Sequence, residues 1–209
     1  MHTIGILGGV ASGKSMVARQ LAELGAGLLD ADQATHAVLE DPEVREALRQ
    51  RWGGDVFRPE GAVDRERIAE IVFAERPKGG GERRFLENLV HPRVALRLDA
   101  ERQAFAARKY RAVVLDAPLL LEAGWDKLCD MLLFVDAARE LRLARAAARG
   151  WTEQDIARRE AAQLPLDVKR TRADAIIDNS GTPQQTEAQI ERFWRSLAEY
   201  DNPPSSPSG

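Results

Sequence analysis

The chain has 209 residues, of which 44% are apolar and 30% charged, a balance typical of a globular protein with a sizeable core. Its 30 basic and 33 acidic residues are mixed along the chain and give a net charge of -3, so the charge pattern does not indicate nucleic-acid binding. The single cysteine, Cys129, excludes a disulfide framework; its apolar surroundings favour a buried, inert thiol and a reducing compartment.

The ends of the chain and its apolar runs set expectations about location. The N-terminus leads straight into a short apolar run and lacks the pattern of a signal peptide. No apolar run approaches the roughly 20 residues that span a bilayer. We therefore expect a cytoplasmic protein without membrane attachment. Residues 201–209 are rich in proline and serine and are expected to form a disordered tail.

Short apolar runs separated by helical patterns predict the fold. The first run ends at Gly8-Gly9, and an amphipathic helical pattern follows it as far as Gly25. Because parallel strands need crossover connections, the alternation predicts an α/β fold with a five-stranded parallel sheet and helices on both faces. The predicted strands are residues 3–7, 27–30, 111–116, 131–136 and 175–178.

Two stretches do not fit crossovers of ordinary length. Residues 32–109 show only helical patterns, at 42–51, 64–73 and 83–108, and we interpret them as a helical insertion that forms a substrate-binding subdomain. Within the insertion, Gly79-Gly80-Gly81 is expected to interrupt the helices and Pro92 to mark a helix start or break. Residues 150–172 are polar and rich in both charges, and we interpret them as a mobile lid. The core of a single domain is then residues 1–31, 110–149 and 173–200.

The loop after the first predicted strand carries the most specific motif. It satisfies the pattern G-x-x-x-x-G-K-[ST] at a strand-to-helix junction, which indicates a P-loop NTPase type of fold. Its backbone N–H groups would hold phosphates, Lys14 would reach the β- and γ-phosphates, and the Ser15 hydroxyl would ligate Mg²⁺. The motif predicts binding of a nucleoside triphosphate. Its residues are Gly8, Gly9, Val10, Ala11, Ser12, Gly13, Lys14 and Ser15.

Aspartates follow the predicted strands at their carboxyl ends, where ligands bind in such sheets. Asp30 and Asp32 follow the second strand, and both side chains point the same way if the chain stays extended there. Asp32 could accept the proton of an attacking hydroxyl or could cap a helix beginning near Gln33; Asp30 could ligate Mg²⁺ through water. Asp116 could contact Mg²⁺ or cap a helix.

A stripe of four arginines leads into the predicted lid. The residues are spaced by three, three and four positions, so they lie along one side of a helix. They could neutralise charge on a transferring phosphoryl group or form a solvated face. The arginines are Arg139, Arg142, Arg145 and Arg149.

These motifs, in this order, resemble those of the dephospho-coenzyme A kinase family over residues 3–200. The loop is similar to the family's Gly-Gly-Ile-Gly-Ser-Gly-Lys-Ser, Asp30-Ala31-Asp32 to its aspartate pair, and residues 116–122 to its Asp-x-Pro-Leu-Leu-Phe-Glu. Asp64-Arg65 and His91-Pro92 fall in its helical substrate region. Its lid and final strand are matched by Arg145, Arg149, Gln163 and residues 173–181.

The resemblance implies transfer of the γ-phosphoryl group of ATP, with Mg²⁺, to the ribose 3'-hydroxyl of dephospho-coenzyme A, giving coenzyme A and ADP. By matched position, Asp32 is the general base, and Arg145 and Arg149 close over the phosphates held by Lys14. Arg65 and His91 would help to hold the acceptor. The partner expected is this small molecule, and the chain a monomer or small homo-oligomer. Further nucleotide contacts are assigned to Met16, Gln163 and Asn179, and further Mg²⁺ contacts to Ser15 and Asp116.

Some residues depart from the family's pattern. Ala11 replaces a loop glycine and is expected to have a negative φ, since only then is a side chain tolerated without strain. Met16 replaces the usual threonine, and Leu121 stands where phenylalanine is common.

Rival interpretations are separable by sequence features. A P-loop kinase for a nucleoside monophosphate or a small alcohol is disfavoured by the large helical insertion and the Asp-Ala-Asp pair. A GTP-dependent switch protein would carry an Asn-Lys-x-Asp motif, which the sequence lacks. A catalytically dead nucleotide sensor is disfavoured by the retention of Lys14, Ser15 and Asp32.

Overall fold

A parallel sheet of five strands forms the centre of the protein in the computed structural model, which describes residues 1–72 and 80–201. The strand order is β2-β3-β1-β4-β5. Each predicted strand agrees with the observed one to within one residue at either end, and the predicted fold class is confirmed. The strands are β1 (His2–Gly8), β2 (Gly27–Asp30), β3 (Ala112–Asp116), β4 (Met131–Asp136) and β5 (Ala175–Asp178).

The central position of β1 places the predicted phosphate loop. In register, Ile6 lies opposite Asp116 of β3 on one side and Leu133 of β4 on the other. The chain reaches β3 and β4 on opposite sides of β1, and such a switch in strand order leaves a crevice at the carboxyl ends of the strands. The loop that follows Gly8 therefore starts where ligands bind in sheets of this kind.

Nearly continuous apolar strands are explained by burial. Ile4 and Ile6 of β1 and Leu133 of β4 are inaccessible to water and pack with Leu21 and Leu197 from two helices. Each such side chain contributes about 1.5–3 kcal/mol on burial, so this cluster holds β1 and its loop in place.

The chain divides into two compact units. One unit, residues 1–29 together with the chain from Arg102 onward, contains the sheet except for Asp30, the last residue of β2; the other is residues 30–101. The helices are α1 (Lys14–Glu23), α2 (Ala31–Leu39), α3 (Pro42–Trp52), α4 (Arg65–Val72), α5 (Gly80–Ala107), α6 (Arg139–Ala147), α7 (Glu153–Ala161), α8 (Leu166–Thr171) and α9 (Pro183–Asp201), with short 3-10 turns at Gly54–Val56 and Trp125–Leu128.

The prediction that Pro92 starts or breaks a helix is wrong, because α5 runs through it. A proline inside a helix removes one backbone hydrogen bond and costs about 3 kcal/mol. In α5, however, Val90, Val94 and Leu98 recur every four residues and are all buried. Packing of this face offsets the local cost and keeps the helix continuous.

Some predictions fall at or beyond the edges of the described chain. Gly79, Phe73 and the tail from residue 202 lie outside the described residues, whereas Gly80 and Gly81 are the first residues of α5. Among residues 1–72 and 80–201, no helix combines the length and the apolar character that crossing a bilayer requires.

Cys129 is half-buried just before β4. Burial, with a smaller effect of Asp126 and Asp130, raises the pKa of its thiol to about 12. The thiol therefore stays protonated at neutral pH, as expected of an inert cysteine.

Candidate active site

The loop between β1 and α1 depends on two glycines with positive φ. Gly8 has φ 149° and Gly13 has φ 102°, so both adopt conformations that side chains rarely allow. A Cβ atom at Gly8 would lie 2.6 Å from the carbonyl oxygen of Val135, and one at Gly13 would lie 2.2 Å from Nδ2 of Asn179. The two motif glycines thus let the loop curl tightly against the ends of β4 and β5.

The expectation of a negative φ at Ala11 is wrong: its φ is 59°, in the left-handed region. This conformation costs a non-glycine residue about 1–2 kcal/mol. The methyl group of Ala11 is buried in an apolar cluster with Val10, Ala146 and Ile156, against which Leu143 and Trp151 also pack. Burial of the loop residues against α6 and α7 offsets the strain, which is why an alanine is accommodated.

Lys14 folds back over the loop. Its Nζ donates hydrogen bonds to the carbonyl oxygens of Gly8 at 3.0 Å and Gly9 at 2.8 Å. Burial lowers the pKa of this ammonium group from 10.5 to about 8, an effect that the carboxylate of Asp116 opposes and the charge of Lys169 reinforces. A desolvated cation at this point can interact strongly with a phosphate oxygen.

Residues at the start of α1 provide further contacts. Ser15 is exposed in the first turn, whereas the side chain of Met16 packs against the core and its N–H donates to the carbonyl oxygen of Gly13 at 3.0 Å. Asp116 ends β3 beside the loop and is followed by a turn. Residues 117–124 form no helix, so the alternative role of Asp116 as a helix cap is excluded.

The two aspartates after β2 do not both continue an extended strand. Asp30 is extended, with φ -100° and ψ 105°, but α2 begins at the next residue, Ala31. Oδ1 of Asp30 accepts a hydrogen bond of 2.9 Å from the N–H of Gln33, so Asp30 is the helix cap. The prediction that Asp32 caps the helix is therefore wrong. So is the prediction that the side chains of Asp30 and Asp32 point the same way along an extended segment. Asp32 lies exposed in the first turn of α2.

The arginine stripe divides into two kinds of residue. Arg139 and Arg149 are exposed, and the guanidinium carbon of Arg149 lies 5.9 Å from the ring centroid of Trp151. Arg142 is buried and Arg145 half-buried, and both donate hydrogen bonds to carbonyl oxygens of the phosphate loop. The interpretation of the stripe as a solvated face thus fits its ends and is wrong for its middle.

Asn179, directly after β5, is buried and holds the loop with Arg145. Its Nδ2 donates to the carbonyl oxygen of Ser12 at 2.8 Å, and its Oδ1 accepts from Thr186 at 3.1 Å. Arg145 donates to the same oxygen of Ser12 at 3.2 Å and to the carbonyl oxygen of Asn179 at 2.9 Å. Both side chains therefore fix the loop by its backbone.

One residue of this region, Lys169 of α8, was missed by sequence reasoning. Its side chain is almost completely buried, and Nζ lies 3.0 Å from Oε1 of Glu122 and 3.0 Å from Oε1 of Gln163. The same Glu122 oxygen accepts a hydrogen bond of 2.6 Å from the N–H of Leu164. Periodicity could not find Lys169, because its neighbours Arg170 and Arg172 make the segment look like a solvated basic helix.

The predicted acceptor residues lie in the second unit. Arg65, at the start of α4, is exposed and its guanidinium contacts Nε2 of His36 on α2. His91 is half-buried on α5, where desolvation lowers the pKa of its imidazole; Glu87 opposes this shift and Arg83 adds to it. His91 is therefore predominantly neutral at neutral pH.

The sheet order, the glycine loop on the central strand and the cations around that loop define a nucleotide-dependent kinase of the P-loop type. The family model of dephospho-CoA kinase matches residues 2–185. The chain therefore belongs to the dephospho-CoA kinase family, and the family resemblance of its motifs is confirmed.

Individual relatives agree with this assignment. The dephospho-CoA kinase of Symbiobacterium thermophilum is 41% identical over 198 residues, which cover 94% of this chain and 81% of the relative. The crystal structure of TT1252 from Thermus thermophilus is 33% identical, has a TM-score of 0.79 and covers 95% of this chain and 97% of that one. The dephospho-CoA kinase from Campylobacter jejuni, at 20% identity and TM-score 0.63 over 94% of this chain and 97% of its own, shares the fold.

Proposed function

We propose that this chain transfers the γ-phosphoryl group of ATP to the ribose 3'-hydroxyl of dephospho-coenzyme A, giving coenzyme A and ADP, the final step of coenzyme A synthesis. The observation that carries the proposal is the phosphate loop, which a lysine, two arginines and an asparagine hold in a curled conformation. Membership of the family supports the choice of acceptor. We expect the enzyme to act in the cytoplasm as a monomer or small homo-oligomer.

The loop fits a triphosphate. Oγ of Ser12 is buried and has no hydrogen-bond partner within residues 1–72 and 80–201, and burial of an unsatisfied hydroxyl is unfavourable. A phosphate oxygen would satisfy it. Because a trans peptide unit points its C=O and N–H groups in opposite directions, fixing the Ser12 carbonyl on Arg145 and Asn179 turns the N–H of Gly13 the other way. That N–H then donates to the phosphates.

The residues present also fit a magnesium ion. Ser15 offers a hydroxyl oxygen and Asp116 a carboxylate oxygen, which are the hard ligands that Mg²⁺ binds in proteins. When bound, Mg²⁺ neutralises charge on the β- and γ-phosphates. In this proposal Ser15 and Asp116 hold the ion, Asp116 directly or through water.

The proposed chemistry assigns each cation and carboxylate a task. Asp32 accepts the proton of the 3'-hydroxyl while the 3'-oxygen of the acceptor bonds to the γ-phosphorus. The bond from that phosphorus to the β-γ bridging oxygen breaks, and ADP is released. Lys14 and Arg145 neutralise charge that spreads over the transferring group. Arg149 lies after the C-terminal end of α6. We propose that it also neutralises charge on the transferring group when the lid formed by residues 150–172 closes. Gln163, fixed by Lys169, is proposed to contact the nucleotide.

Acceptor binding is proposed for the unit of residues 30–101. Arg65 supplies a permanent positive charge suited to the phosphates of the acceptor, and its contact with His36 restricts the guanidinium. His91, neutral at physiological pH, can donate one hydrogen bond and accept another.

The proposal is tested by incubating the purified chain with Mg-ATP and dephospho-coenzyme A, and following ADP and the phosphorylated acceptor by chromatography. We expect equal amounts of both products, with the new phosphate located on the 3'-oxygen by phosphorus NMR. Lys14→Met should abolish turnover, and the exposed Lys127→Met should not.

Rival functions give other outcomes in the same experiment. Phosphorylation of a nucleoside monophosphate or of shikimate in preference to dephospho-coenzyme A would overturn the proposed acceptor. ADP release without phosphorylated acceptor, or nucleotide binding without turnover, would overturn the kinase activity and favour a switch or a sensor.

A further inference from the structure

We propose that Arg142 and Glu160 form a positioning pair that couples the first helix of the lid, α7, to the phosphate loop and thereby sets the affinity for nucleotide. The inference rests on the proposed nucleotide-binding role of the loop. It concerns a residue pair outside the loop motif and outside the residues assigned to the chemistry above.

Arg142 connects three elements through one nitrogen atom. Its Nη1 donates a hydrogen bond of 2.6 Å to Oε1 of Glu160 on α7 and one of 3.3 Å to the carbonyl oxygen of Val10 in the loop. The exposed fractions are 8% for the Arg142 side chain and 36% for that of Glu160. A buried guanidinium needs its partners, because an uncompensated charge in the interior is strongly destabilising.

The position of Arg142 leaves the loop little room to move. A Cβ atom at Gly9 would lie 2.9 Å from Nη1 of Arg142, so the loop backbone packs directly against the guanidinium. The charge of Arg142 also reaches Lys14, where it adds to the lowering of the ammonium pKa that burial causes. Any displacement of Arg142 is therefore felt at both the backbone and the lysine of the loop.

The hydrogen bond to Val10 orients a donor of the loop. The peptide unit between Val10 and Ala11 is planar and trans, so holding its carbonyl oxygen on Arg142 points the N–H of Ala11 in the opposite direction. Arg145 and Asn179 do the same for the unit between Ser12 and Gly13. Side chains that hold the carbonyl oxygens thus turn two N–H groups away from themselves, towards the phosphate side of the loop.

An apolar contact runs beside the ion pair. Ile156 of α7 and Ala146 of α6 pack against Val10 and Ala11 of the loop. The lid helix therefore touches the loop through both a charged pair and a buried apolar cluster. Glu160 binds Arg142 and is not a member of the apolar cluster, so its substitution tests the coupling through the ion pair.

The test is a double-mutant cycle in the full chain with Glu160→Gln, Arg142→Gln and the two together. A charge-assisted hydrogen bond of this kind corresponds to roughly a tenfold change in an equilibrium constant. We expect each single variant to raise the Kd for Mg²⁺ and a non-hydrolysable ATP analogue roughly fivefold to tenfold, measured by calorimetry. The double variant should bind no more weakly than Arg142→Gln, because Glu160 acts through Arg142.

Kinetics separate positioning from a merely structural role. The variants should raise KM for ATP in parallel with Kd, while KM for dephospho-coenzyme A stays unchanged and kcat falls less than about threefold. The control is Arg158→Gln, which removes an exposed pair with Asp155 on the same helix and should alter none of these constants.

Two results would overturn the inference: variants with lowered Tm but wild-type Kd for the analogue, or additive effects of the two substitutions. If Arg142→Gln does not fold, the Kd of Glu160→Gln alone tests the inference. A Kd equal to that of the wild type would refute the coupling. Failure of the proposed function is recognised separately, since it would leave the unsubstituted chain unable to phosphorylate dephospho-coenzyme A.

Discussion

Nζ of Lys169 lies 3.0 Å from Oε1 of Glu122, and the exposed fractions of the two side chains are only 2% and 14%. The pair joins α8 to the turn after β3. Gln163 and Leu164, between α7 and α8, bind to the same two side chains. The charge of this lysine also contributes to the lowered pKa of Lys14. A buried ion pair thus anchors α8 to the turn after β3.

Removal of one partner should be strongly destabilising. Lys169→Met leaves the buried carboxylate of Glu122 without its cation, and we expect the free energy of unfolding to fall by about 3 kcal/mol in urea denaturation. The double substitution with Glu122→Gln should recover part of this loss. Arg158→Met, which breaks an exposed pair with Asp155, should leave the urea midpoint almost unchanged. Equal effects of Lys169→Met and Arg158→Met would contradict a buried, coupled pair.

Nucleotide affinity should weaken at alkaline pH. The ammonium form of Lys14 attracts phosphate, and because burial lowers its pKa to about 8, the free protein loses this charge as the pH rises through that value. The Kd for an ATP analogue should therefore rise above about pH 8, approaching tenfold per pH unit. Calorimetry over a pH series measures this.

A control isolates the lysine in the pH series. Lys14→Arg keeps its charge throughout, so its Kd, although weaker, should not change with pH over the same range. A wild-type affinity that stays constant up to about pH 9.5, well above this pKa, would show that Lys14 does not lose its proton as described.

Substitutions of Ala11 should distinguish strain from packing. Ala11→Gly relieves about 1 kcal/mol of left-handed strain but removes a buried methyl group worth about 0.8 kcal/mol, so the free energy of unfolding should change by less than about 1 kcal/mol. Ala11→Val adds a β-branched side chain at φ 59° and should lower the free energy of unfolding by about 2 kcal/mol or more. Urea denaturation decides, and a neutral Ala11→Val would refute the left-handed conformation.

Asp32 and Asp30 provide a matched pair for the general base. Asp32→Asn should lower kcat by roughly 10² while leaving the Kd for ATP unchanged, because the substitution removes a proton acceptor. Asp30→Asn should retain activity and stability, since asparagine caps α2 as well as aspartate does. Steady-state kinetics of both variants test the assignment, and unchanged turnover of Asp32→Asn would remove this residue from the mechanism.

Features set by near neighbours in the chain were predictable. The five strands follow from short apolar runs, and the phosphate loop follows from glycines, a lysine and a serine at a strand-to-helix junction. Local patterns misled where distant packing competes with them. Pro92 interrupts no helix because the buried face of α5 offsets its cost, and Ala11 accepts a positive φ because its methyl group is buried against α6 and α7.

The sequence by itself determined the fold class, the place of the phosphate loop and the family, because these depend on periodicity and on motifs of adjacent residues. Only the tertiary structure decided which side chains hold the carbonyl oxygens of that loop. Arg145 binds Ser12 across 133 positions of the chain and Asn179 binds it across 167, and spacing along one helix cannot report such contacts. The physical reason is burial: a charge that looks solvated in the sequence becomes an interior partner only when strands and helices from both ends of the chain close around it.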